Sequence, residues 1–134
     1  MKRSILAVAA GLVVWMLVAT LLNFGVRASF AGYTAAEPTM TFTLGMKVAR
    51  LILGALASVA AGAAAGLIAP SKTGPRWVLG GIILALFIPV HIQLWARFPM
   101  WYHLVFLGTL VPLVALAGAF TSARFRISPT EARA

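Results

Sequence analysis

Residues 48–69 read VARLILGALASVAAGAAAGLIA, a run in which Arg50 is the only charge and Ser58 the only hydroxyl. A helix rising 1.5 Å per residue needs about 20 apolar residues to cross roughly 30 Å of hydrocarbon, so this run has the length of a membrane span. Lipid offers no water to backbone amides, so such a segment must close its hydrogen bonds within itself as an α-helix. A lipid-facing β-barrel would instead alternate apolar and polar residues, and no such alternation appears. Residues 4–26, 77–95 and 100–120 read the same way. The expectation is an all-α, polytopic membrane protein: four transmembrane helices in one antiparallel bundle over residues 1–134, with a short cytoplasmic tail at 121–134.

The whole chain agrees with this reading. It is 62% hydrophobic and 10% charged, with a mean hydropathy of +1.00, whereas soluble domains run near 45–50% apolar and about 25% charged. The start, Met1-Lys2-Arg3 before an apolar run, has the look of a secretory signal, with Ser29-Phe30-Ala31 as a small-x-small cleavage site. A signal core is about 7–15 residues, however, and the run from Ile5 to Leu22 exceeds that, so an uncleaved first span is expected. The net charge of +9 does not point to nucleic acid, because the cations stand singly or in pairs at the ends of apolar runs and form no stripe along a phosphate backbone.

Cation placement predicts orientation. Lys2, Arg3, Lys72, Arg76, Arg124, Arg126 and Arg133 fall on one side of the four spans; Arg27, Lys47, Arg50 and Arg97, offset by Glu37, fall on the other. The richer side is cytoplasmic by the positive-inside rule, which puts both termini in the cytoplasm of a multi-pass protein of the bacterial inner membrane. Between the first two spans, Glu37-Pro38 resembles a helix start, since proline suits the first helical position and a carboxylate the positive helix end. The second helix is therefore expected to begin there. Residues 71–76 read as a tight turn and 97–100 as a hairpin connection.

Two patterns carry functional weight. In the second span Gly54, Ser58, Gly62 and Gly66 recur every four residues, a glycine-zipper-like stripe that lets another helix backbone approach closely. Its partner is either a helix of the same chain or a second copy. In addition, Asn23, Arg27, Lys47, Arg50, His91, Arg97 and His103 all fall in the outer half of the predicted bilayer, while the inner half is nearly bare. Ionisable groups in hydrocarbon are costly unless paired or hydrated. One reading is an outward-facing vestibule lined by Asn23, Arg50, His91 and His103 that takes a lipid headgroup or another ligand. The other is that the cations snorkel to the headgroups and the histidines bond locally. Pro89 and Pro112 bend the third and fourth helices, as hinges or as packing devices.

What is missing narrows the chemistry. Without cysteine there is no disulfide, thiolate metal site or cysteine nucleophile. No span holds the carboxylate that cation-coupled carriers use. No nucleophile–base–orienter set can be assembled, and the phosphate-cradling G-x-x-x-x-G-K-[ST] motif does not occur. The chain is therefore read as a non-enzyme without cofactor or metal, an accessory or lipid-interacting component whose partners are membrane lipids, a second copy or another membrane protein. Two alternatives stand beside it: an oligomeric small-solute channel or transporter, and a redox protein holding haem between His91 and His103.

Overall fold

The computed structural model describes residues 1–126. They form α1 (Lys2–Ser29), α2 (Tyr33–Ala36), α3 (Leu44–Ile68), α4 (Gly74–Gln93) and α5 (Met100–Phe125), with no strand among the described residues. Helices α1, α3, α4 and α5 contain the four apolar stretches and are each long and apolar enough to cross a membrane. Their outward faces carry Leu21, Leu86, Ile92 and Leu116, each more than half exposed. At most 39% of the most apolar window of any of these helices is buried inside the protein. A soluble chain rarely leaves that much contiguous apolar surface uncovered, so lipid is the solvent these faces are made for.

Local chemistry places the helix ends. Thr43 caps α3, its hydroxyl accepting the Met46 amide hydrogen at 3.3 Å, which satisfies one of the four donors a helix start leaves open. The start expected at Glu37-Pro38 is therefore corrected. Glu37 instead closes the single turn of α2, and its carboxylate turns to Arg27 at 2.9 Å. Gly32, at φ 81°, provides the left-handed step that lets the chain leave α1 and enter that turn. Pro75 lies in the first turn of α4 and Pro99 precedes α5, positions that need no amide hydrogen. Helix α5 runs on to Phe125, so the first residues assigned to the tail are helical; residues 127–134, with Arg133, lie outside the described residues.

Helices α3 and α4 each pack against all the other long helices, whereas α1 and α5 barely touch one another. The α3–α5 contact is closest where side chains vanish. A Cβ on Gly62 would overlap the backbone of Val114, and one on Gly66 that of Gly118. The stripe in α3 is thus covered by α5 of the same chain, and that face is not open to a second copy. Ser58 ties in α1 as well, donating to the Gly54 carbonyl at 2.8 Å and accepting the Trp15 indole N–H at 3.1 Å. Toward the α2 end the seam changes character. Gly54 meets the Phe106 ring instead of backbone, and a second core of Tyr33, Phe42, Met46, Phe98 and Tyr102 fills the space between the helix ends.

Candidate anion site at the α2 end

Arg50 sits about two turns into α3, with its guanidinium 4.8 Å from the centre of the Phe42 ring. Its Nη1 donates to the Tyr33 hydroxyl at 2.7 Å and its Nε to the Tyr102 hydroxyl at 3.4 Å. Tyr33 is fully buried and passes its own O–H to Asn23 Oδ1 at 3.4 Å. The single turn of α2 therefore has a definite job: it places one phenol where α1 and α3 can both reach it.

The partners of Arg50 are all neutral. Among the described residues Glu37 is the only carboxylate side chain, and Arg27 holds it through two contacts of 3.0 and 2.9 Å. A guanidinium within a span gains from charge-assisted hydrogen bonds to hydroxyls, but hydroxyls do not neutralise it, and an unopposed charge away from water is expensive. Arg50 also opens onto a cavity of about 270 Å³ in the gap between α1 and α5. The upper wall is polar, with Thr20, Asn23, Arg50 and Tyr102; the lower is apolar, with Trp15, Ala19, Leu53, Phe87 and Phe106.

Of the residues singled out in the sequence, Asn23 and Arg50 line this cavity together. Arg27 stays outside with Glu37. Arg97 donates to the Thr39 carbonyl at 3.0 Å, tying the α4–α5 connection to the α2 segment. Lys47 lies 5.9 Å from the centre of the Phe98 ring. The two histidines do not line the cavity, which corrects the four-residue vestibule. They are buried behind Tyr102 and Phe106, with facing Nδ1 atoms 2.7 Å apart. Their ring centres are 4.9 Å apart, the value expected when both Nδ1 atoms point along the line joining the rings. One Nδ1 donates and the other accepts.

This pairing bears on the haem and metal reading. Metal–imidazole bonds are about 2.0–2.1 Å, so an ion between those two nitrogens would need them farther apart than they stand. No cluster of three or more His, Cys, Asp or Glu occurs among the described residues. Trp95 stacks on His103 at 4.7 Å, and the buried His103 Nε2 has no hydrogen-bond partner among the described residues. The lesser cost falls on the arrangement in which that nitrogen carries a bare lone pair, which makes His103 the Nδ1 donor, because orphaned N–H groups are the rarer kind.

The sequence reading missed Tyr33, Tyr102 and the apolar floor. The chain has only two tyrosines, and both hydroxyls meet Arg50. Their convergence on one cation has no spacing signal in the sequence. Comparison of the chain with models of protein families, with curated proteins and with solved structures finds no match.

Proposed function

We propose that this protein is a non-catalytic component of the bacterial inner membrane that binds an anionic amphiphile in the cavity beneath α2. In this reading the four long helices form an antiparallel bundle with both termini in the cytoplasm. The observation that carries it is Arg50, a cation within a long apolar helix that opens on a cavity and has only neutral partners among the described residues. Intramembrane charges tend to mark functional sites because keeping them is costly.

The orientation rests on cation placement: Lys72, Arg76, Arg124 and Arg126 gather at the end away from α2, where Arg126 reaches the Pro70 carbonyl at 3.3 Å. The absence of cysteine makes a clean assay possible. A single cysteine in place of Lys72 should resist an impermeant maleimide in intact cells and react after lysis; labelling in intact cells would reverse the assignment. For function, native mass spectrometry of the extracted protein should find an anionic amphiphile on the wild type and little on Arg50→Gln. Equal retention by both would remove the anion-binding role.

A further inference from the structure

The cavity wall specifies more than negative charge, because its polar groups still have hydrogens to give. Arg50 bonds to protein through Nε and one Nη1 hydrogen only, which leaves Nη2 and the second Nη1 hydrogen without a partner among the described residues. Asn23 is engaged through Oδ1, and its amide nitrogen donates to no described residue. The Tyr102 hydroxyl receives Arg50 Nε–H while its own hydrogen finds no acceptor among the described residues, although the residue is only 3% exposed. Donors converge here without a matching acceptor, an arrangement completed by an anionic oxygen pair.

Below them the character reverses. Trp15 has given its indole N–H to Ser58, and Leu53, Phe87 and Phe106 offer only apolar surface. From Asn23 to Trp15 the wall runs about 12 Å along α1, and the volume of about 270 Å³ falls just short of the roughly 300–1,000 Å³ that drug-sized ligands occupy. An occupant that fits has one head at the α2 end and one slim apolar body directed toward the middle of the span.

We infer that the cavity takes a single-chain amphiphilic carboxylate of the fatty-acid class, its head on Arg50 and its tail against Trp15 and Phe87. The inference rests on the anion-binding reading above and adds the ligand's chemistry. A carboxylate carries one charge and neutralises Arg50 one for one, and its two oxygens can accept from the guanidinium hydrogens that Tyr33 and Tyr102 leave over. It also terminates its chain, so the body continues into the apolar floor. A phosphodiester carries one charge too, but with substituents on both sides, and a cavity of this size encloses no diacylglycerol. Phosphate monoesters bring more charge than one arginine balances, and Arg27 and Arg97 are engaged with Glu37 and Thr39.

The test uses the whole chain in phosphatidylcholine nanodiscs, with empty discs as background, titrated with radiolabelled decanoate, methyl decanoate, phosphatidylglycerol and inorganic phosphate. Decanoate should bind saturably at one per chain, with the methyl ester and inorganic phosphate at least about tenfold weaker, a loss of one charge-assisted contact. Arg50→Gln should abolish the binding. That change also removes the donor to both tyrosines, so Ala19→Trp, which fills the floor and leaves the polar network in place, is the second arm. It should lose decanoate while keeping the wild-type elution volume and helix content. Decanoate uptake equal to empty discs, or unchanged in Ala19→Trp, overturns the inference. Arg50-dependent binding of phosphatidylglycerol or inorganic phosphate without decanoate overturns it but leaves the anion-binding reading standing. No Arg50-dependent binding of any of these anions overturns both.

Discussion

The two ends of the α3–α5 contact solve opposite problems. At Gly62 and Gly66 the helices meet backbone to backbone, with the Ser122 hydroxyl as a polar link that accepts from Arg76 at 3.4 Å and donates to the Gly66 carbonyl at 3.3 Å. Eight residues or more toward α2, Phe106 and Tyr102 stand between the same two helices, and beside them lie a cation, a second phenol and the cavity in the gap between α1 and α5. In lipid, where apolar burial gives helices little reason to associate, close packing makes the first end cohere. The second end coheres through hydrogen bonds that the surrounding hydrocarbon makes hard to replace. A seam specifies that the helices meet; a wedge specifies what is left between them.

Mutations at the two ends should therefore fail differently. The largest effect is expected from Gly62→Leu, which drives a side chain into the Val114 backbone. Overpacking of this kind costs about 3 kcal/mol or more when the obstacle cannot move, and thermal denaturation in detergent should show a chain that no longer melts cooperatively. Next is Tyr33→Phe, which takes the acceptor from Arg50 and the donor from Asn23. A hydrogen bond to a charged group contributes about 1.5–3 kcal/mol, so the protein should remain folded with a lower melting temperature and weakened anion binding. If Tyr33→Phe instead unfolded the chain as thoroughly as Gly62→Leu, the contrast between the two ends would dissolve.

His103→Phe comes third. It leaves His91 Nδ1 buried without a partner, at a cost of about 1–3 kcal/mol. Replacing both rings, by His91→Leu with His103→Phe, should recover part of that loss, because removing both partners avoids the unmet polar atom. A double-mutant cycle with no coupling would show that the pair does not hold α4 to α5. The smallest effect belongs to Arg27→Ala. Its ion pair with Glu37 is half open to the surroundings, with side-chain exposures of 40% and 21%, and exposed pairs of this sort contribute about 0–1 kcal/mol. A shift in melting temperature well beyond that range would make α2 a structural element in its own right.

How much of this was legible depended on the physical constraint behind each feature. The four long helices follow from the backbone's need to satisfy itself in hydrocarbon, a demand every residue of a long apolar run expresses, so they could be located to within a few residues. Arg50 and Asn23 could be placed at a common depth for the same reason. What depth does not encode is azimuth. His91 and His103 share that depth, yet the helix phase of α4 and α5 turns them toward each other and away from the cavity. The start of α3 was misplaced because Glu37-Pro38 and Thr43 both carry start signals, and the loop closed by Arg27 chose between them. Tyr33 belongs to a single turn too short for any periodicity, and only the folded chain brings it to Arg50.

A lone cation partway down a span has an electrical consequence. An elementary charge carried across the whole bilayer exchanges about 2.3 kcal/mol with each 100 mV of potential, and an anion docking on Arg50 would traverse a fraction of that drop. Were the site to bind an anion within a bilayer as proposed above, its occupancy would shift with the voltage across that bilayer.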